Sequence, residues 1–120
     1  MFNIVIYEDR NGKSELWNFL EYLRTCSTGN KDLRIQYHQI VFYIELLKNN
    51  GTYLPENITK HLDDGIWELR PGNNRIFYFF FDNDTFVLLH HFRKKTRKTP
   101  KREIEKAKSE RADYISRKER

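Results

Sequence analysis

Residues 66–92 read IWELRPGNNRIFYFFFDNDTFVLLHHF, and this stretch decides the fold. It holds three runs rich in aromatic and β-branched residues, each of strand length. Two clusters of turn-forming residues separate the runs, at 71–74 and 82–84. Loops this short join neighbouring antiparallel strands, so the stretch predicts a three-stranded meander over 66–70, 75–81 and 85–92.

The rest of the chain predicts one more strand and three helices. The alternation over 2–7 is typical of a strand, and the spacing of Leu16, Phe19, Leu20 and Leu23 is that of a buried helical face. A second helix spans about 31–50 and ends at Gly51, while 52–64 have no regular pattern. A last helix starts near residue 99, with Thr99 as its N-cap and Pro100 at its first position.

These elements follow one another in the order β-α-α-β-β-β-α, which predicts an α+β fold. We expect a small, mostly antiparallel four-stranded sheet with two N-terminal helices on one face and a C-terminal helix. The length of 120 residues suits a single domain, residues 1–120, with the basic C-terminal helix from about 99. The face away from the two N-terminal helices is expected to be open.

Charge is distributed unevenly along the chain. Residues 93–120 hold 13 Lys and Arg against 5 Asp and Glu, whereas residues 1–92 hold 9 against 12. A basic segment of this kind attracts a polyanion such as nucleic acid, or an acidic protein. The single cysteine, Cys26, excludes an intramolecular disulfide. No signal peptide or membrane-length apolar run is evident, so we expect a cytoplasmic protein without a membrane partner.

The two turns predict which side chains share a face of the sheet. A four-residue loop at 71–74 sets Arg70 opposite Arg75, and a three-residue loop at 82–84 sets Arg75 opposite His91. We therefore expect Arg70, Arg75 and His91 in a row on the open face, with Glu68 beside them and His90 on the other face. A last hairpin one residue tighter would exchange His90 for His91.

A row of three cations with no carboxylate between them favours a phosphate site, the alternative being that Glu68 pairs with Arg70 and the other charges are solvated. The sequence lacks metal-ligand spacings and a glycine-rich phosphate loop, so neither a metal nor another cofactor is predicted. The chemistry that remains is metal-free RNA cleavage. A base takes the proton of the 2′-hydroxyl as it attacks the adjacent phosphate, cations stabilise the phosphorane, and an acid protonates the leaving 5′-oxygen.

The chain resembles the RelE/ParE toxin superfamily, in particular its HigB-like, phage-derived branch. The resemblance rests on Leu62-Asp63-Asp64-Gly65-Ile66-Trp67-Glu68-Leu69-Arg70, on Arg75-Ile76-Phe77-Tyr78, and on 88–100, LLHHFRKKTRKTP. It implies a toxin of a type II toxin–antitoxin system: a metal-independent endoribonuclease that cuts mRNA on the ribosome, leaves a 2′,3′-cyclic phosphate and inhibits translation. The implied partners are mRNA, the ribosome and a cognate antitoxin, often a helix-turn-helix protein.

The predicted site residues follow from the face of the sheet on which each side chain is expected and from the family resemblance. The expected catalytic residues are Arg70, Arg75, His91 and Lys94, and the expected RNA-binding residues are Arg93, Lys95, Arg97 and Lys98. In the resemblance His90 is the motif histidine, whereas the strand register favours His91. Two alternatives stay open, a ParE-like toxin directed at gyrase and a non-catalytic module that binds RNA or protein.

Overall fold

The structure is a computed structural model, and it describes residues 1–118. Its elements are β1 (Asn3–Ile6), α1 (Glu15–Cys26), a 3₁₀ turn (Ser27–Gly29), α2 (Lys31–Asn50), β2 (Thr59–Asp63), β3 (Ile66–Leu69), β4 (Asn74–Phe81), β5 (Thr85–Arg93) and α3 (Lys101–Lys118). The expected α+β class is confirmed. The last two residues of the expected domain and C-terminal helix, 119 and 120, lie outside the described residues.

The sheet has five strands, one more than the sequence predicts, in the order β1-β5-β4-β3-β2. All neighbours are antiparallel except β1 and β5. The additional strand is β2, which lies in the segment expected to be irregular. Its sequence, TKHLD, has little apolar alternation, so its pairing with β3 decides its conformation.

Both faces of the sheet are covered by helices. The leucines of α1 and α2 pack with Leu69, Ile76, Tyr78 and Leu88 on one face. On the other face α3 inserts Ala107 and Tyr114 among Ile66, Phe77, Phe79, Val87 and Leu89. The expectation of an open second face is therefore wrong for most of its area, because α3 folds back across it.

Helix boundaries agree with the sequence where local signals are strong. Asn30 caps α2 by accepting a hydrogen bond from the Leu33 amide, and Gly51 ends the helix with a φ of 62°. Helix α3 begins two residues later than expected, at Lys101. The Thr99 hydroxyl does not cap it, because that hydroxyl donates to Glu68 instead. Within residues 1–118 no helix is long and apolar enough to cross a membrane.

Candidate nucleic-acid interface and active site

A β-bulge determines which residues reach the site. Phe81 pairs with Thr85, as the three-residue turn predicts, but the register then shifts between Ile76 and Tyr78. Two residues of β5, Leu89 and His90, lie opposite the single residue Phe77. A bulge of this kind turns every following side chain of the strand to the other face.

The expected row of Arg70, Arg75 and His91 is therefore wrong in its third member. Arg75 pairs with Phe92, and His91 pairs with Ile76 on the face of α1 and α2. His90, expected on that face, lies instead with Phe77 on the face of α3, and their ring centroids are 4.8 Å apart. The two arginines do lie together, since Leu69 pairs with Ile76 immediately beside them.

Glu68 lies between the two arginines, contrary to the expectation of cations without a carboxylate. It is only 1% exposed. Its Oε2 lies 3.2 Å from Arg70 Nε and 3.8 Å from Arg75 Nε, and its Oε1 accepts a 2.7 Å hydrogen bond from Thr99 Oγ1. The two guanidinium groups outnumber the one carboxylate in this cluster, and each lies close enough to the carboxylate to pair with it.

Arg75 supports the loop between β3 and β4. Its Nη1 donates to the carbonyl oxygens of Gly72 at 2.8 Å and Asn74 at 2.9 Å. Burial lowers the pKa of the Arg75 guanidinium, Glu68 opposes that effect, and Arg70 adds to it. An arginine nevertheless remains protonated at neutral pH, so Arg75 contributes positive charge from a buried position.

Arg70 is the more accessible of the two arginines, with 22% of its side chain exposed. Its Nη1 donates to the Glu56 carbonyl oxygen at 2.9 Å, and its Nε faces Glu68 without the alignment of a hydrogen bond. Among the residues described, Nη2 has no hydrogen-bond partner. The guanidinium is thus held on one side and offers its other side to a ligand.

Arg70 lines a groove of about 230 Å³ that lies between β2, β3 and the start of α3. The polar residues that line it are Lys60, His61, Glu68, Arg70, Arg97, Lys98 and Thr99. Four are cations, and the single carboxylate is the buried Glu68. This geometry suits a phosphate-bearing chain, because cations from the sheet, Lys60 and Arg70, face cations from the segment after β5, Arg97 and Lys98.

Residues 94–98, here called the strap, connect β5 to α3 along this groove. The amide of Lys94 donates to the Asn73 carbonyl oxygen at 2.7 Å, which fastens the first end of the strap. Arg97 and Lys98 line the groove, and Lys95 is exposed. Arg93 points elsewhere, since its Nη1 donates to Gln36 of α2 at 3.1 Å.

Neither adjacent histidine lines the groove. His90 is 1% exposed and lies between two α3 carboxylates, with Nδ1 2.6 Å from Glu110 and Nε2 3.0 Å from Glu103. It therefore fastens α3 to the sheet. His61 does line the groove, but its Nε2 accepts a 3.1 Å hydrogen bond from the Gly65 amide and so is engaged in the β2–β3 turn.

His91 is half-buried against α1, where its ring stacks on Phe19 at a centroid distance of 3.7 Å. Its Nδ1 has no hydrogen-bond partner among the described residues. Burial, with a smaller effect of His90, lowers the pKa of His91 from 6.5 to about 4. The ring is therefore neutral at physiological pH.

A neutral, half-buried His91 makes the stability of the protein depend on pH. Between pH 7 and pH 5 the unfolded chain protonates this imidazole and the folded chain does not, so acid favours unfolding by about 2 kcal/mol. Glu15, Glu103 and Lys106 also act on the ring. Urea unfolding of His91→Phe, which keeps the stack without a titrating group, should show a correspondingly smaller loss of stability from pH 7 to pH 5.

The matched control for this prediction is His38→Phe, because His38 is exposed on α2. Its pH dependence should equal that of the wild type. An unchanged pH dependence in His91→Phe would show that His91 is not neutral in the folded protein.

The structure adds Lys60, His61 and Thr99 to the site. Lys60 pairs with Glu68 across β2 and β3, which brings it to the face of Arg70. Lys60 lies in β2, whose sequence has little apolar alternation, so its position could not be predicted. The only available signal for Thr99 was its position beside Pro100, which favoured a helix cap. No three His, Cys, Asp or Glu side chains converge to hold a metal ion within residues 1–118.

The fold and the groove define a small α+β protein that presents fixed cations at the edge of its sheet. The chain belongs to the family described as Phage derived protein Gp49-like (DUF891), whose model matches residues 21–112. No curated protein matches the sequence.

Two solved structures share the fold. They are the YoeB dimer from Staphylococcus aureus and the heterotetrameric YoeB–YefM toxin–antitoxin complex from the same organism. The TM-score is 0.54 and the sequence identity 13% in each case. The first match covers 79% of this chain and 98% of that one, and the second covers 80% and 99%.

Proposed function

We propose that this protein is the toxin of a type II toxin–antitoxin system and that it cleaves mRNA without a metal ion, on the ribosome. The observation that carries the proposal is the groove at Arg70, where four cations converge and the one carboxylate is already neutralised. The similarity of its fold to a toxin in complex with an antitoxin supports the same reading. The HigB-like sequence motifs at 62–70 and 88–100 also support it.

In this proposal Arg70 binds the scissile phosphate. Attack by the 2′-hydroxyl forms a new P–O bond and breaks the bond to the 5′-oxygen, which leaves a 2′,3′-cyclic phosphate on one product. Negative charge grows on the non-bridging oxygens, and a fixed guanidinium stabilises that charge. Arg75 acts from its buried position, where it holds the 71–74 loop and adds to the local positive potential.

Protons are moved by lysines in this proposal, since neither His90 nor His91 lines the groove. Lys60 and Lys98 line it, and Lys94 lies at the start of the strap. The amine of one lysine would accept the proton of the attacking 2′-hydroxyl, and the ammonium group of another would protonate the leaving 5′-oxygen. Arg97 and Lys95 would bind flanking phosphates, and Arg93, directed to α2, would meet RNA only outside the groove. Single alanine variants of the three lysines would separate their roles.

The proposed partner is an antitoxin that covers the groove. A helix-turn-helix protein is expected from the HigB-like resemblance. Because the groove is cationic, the antitoxin should present acidic side chains over Arg70 and the strap, or block entry to the ribosome. A complex in which both the groove and the ribosome-facing surface stay free would contradict this. The substrate, mRNA on translating ribosomes, would place the active toxin in the cytoplasm.

The test of the function is induced expression of the protein without an antitoxin. We expect arrest of translation and new mRNA 5′ ends within reading frames, detected by end mapping. Relaxed or broken DNA with intact mRNA would instead identify a gyrase-directed toxin. Salt-sensitive RNA binding without any cleavage would identify a non-catalytic module.

A further inference from the structure

The strap is fastened at both of its ends, and the second fastening is a side chain. Its first end is tied by the Lys94 amide on Asn73. Its second end adjoins Thr99, whose hydroxyl donates to the buried Glu68 at 2.7 Å. Between the two ends the only described side-chain hydrogen bond is local, from Thr96 Oγ1 to the Lys98 carbonyl oxygen at 2.9 Å.

Such a segment should not lie against the sheet without a restraint. Four of its five residues are cations, and the nearby groove already contains Lys60 and Arg70. The cations of the strap and those of the groove repel one another, and this repulsion favours movement of the strap into solvent. Glu68 supplies the opposing negative charge, and Thr99 makes the direct contact with it.

We propose that the Thr99–Glu68 hydrogen bond is a latch that holds the strap in the groove, so that Arg97 and Lys98 meet the RNA phosphates there. Thr99 and Glu68 are positioning residues in this inference, since they act through the strap and Arg70. One carboxylate thereby fixes the two cationic elements that must bind the same RNA. The inference rests on the proposed binding of RNA in the groove but does not require cleavage.

The test compares Thr99→Val, which keeps the shape of the side chain and removes the hydroxyl, with Thr99→Ser, which retains it. Thr85→Val is the matched control, because the Thr85 hydroxyl bonds Asp84 at the far end of β5. The probe is fluorescein-labelled 2′-O-methyl RNA, which lacks the attacking hydroxyl and so stays intact. Backbone ¹⁵N NMR relaxation of residues 95–98, whose amides donate no hydrogen bond among the described residues, reports the mobility of the strap directly in the absence of RNA.

We expect the backbone mobility of the strap to increase in Thr99→Val and to stay unchanged in Thr99→Ser and Thr85→Val. Loss of two phosphate contacts should reduce the slope of log affinity against log salt by about 1.4 in Thr99→Val, since each contact to a single strand contributes about 0.7. Thr99→Val should add no further change of slope to an Arg97→Ala/Lys98→Ala variant. A substitution that only destabilised the fold would be expected to change the salt slope whether or not Arg97 and Lys98 are present.

Unchanged mobility of the strap in Thr99→Val would overturn the inference. Increased mobility with an unchanged salt slope would overturn it as well, because the strap would then move without affecting RNA. A wild-type protein that binds no RNA would instead overturn the proposed function, and NMR relaxation would still decide whether the latch exists. A changed slope with no cleavage would support the latch and argue against the ribonuclease.

Discussion

Replacement of Arg70 by alanine is expected to lower the rate of mRNA cleavage about 10²–10³-fold, the usual effect of removing one preorganised donor from a site of developing charge. The guanidinium is held by Glu56 and Glu68 before RNA arrives, so little reorganisation is needed when the phosphorane forms. The measurement is the single-turnover rate of cleavage on programmed ribosomes.

The matched control is Arg34→Ala, because Arg34 is exposed on α2, away from the groove. It should cleave at the wild-type rate. Both variants must first be shown to fold, by their circular dichroism, and to bind antitoxin. Cleavage by Arg70→Ala at the wild-type rate would place the active site elsewhere on the protein.

Replacement of Glu68 by alanine is expected to destabilise the fold by about 3–5 kcal/mol, the cost of breaking a buried ion pair from one side. The Arg75 side chain is only 7% exposed and would lose its carboxylate partner without gaining access to water. Thr99 would lose its acceptor at the same time. Urea unfolding at pH 7 measures the change in the free energy of unfolding.

Glu45→Ala is the control for this variant, since Glu45 is exposed on α2 and its removal should change stability by less than about 0.5 kcal/mol. A further variant, Glu68→Ala/Arg75→Met, removes both charges and should recover part of the loss. A Glu68→Ala protein as stable as Glu45→Ala would mean that the two arginines reach water in the folded state.

Much of the fold could be predicted because its signals are local. The bounds of α2 depend on an asparagine cap and on a glycine with positive φ, and both are evident in the sequence. The turn sequences at 71–74 and 82–84 likewise determine the two hairpins. The opposition of Arg70 and Arg75 required only the first hairpin, and it is the part of the expected row that the strand register supports.

The strand β2 and the bulge in β5 could not be predicted, for related reasons. A short polar edge strand carries almost no apolar pattern, and it exists because β3 offers it an unpaired edge. The bulge inserts one residue into β5 beyond the correctly predicted turn at 82–84, and it exchanges the faces of His90 and His91 without altering that turn. Neither feature has a distinctive sequence signal.

The sequence by itself therefore determined the class of the fold, the basic C-terminal segment and the pair of arginines at the end of a hairpin. Only the tertiary structure decided which charges meet: Glu68 between the arginines, Lys60 across from Glu68, and Thr99 at the end of the strap. The physical reason is the range of the interactions. Turns and helix ends depend on residues within a few positions of each other, whereas Thr99 and Glu68 are 31 positions apart and meet only when α3 folds across the sheet.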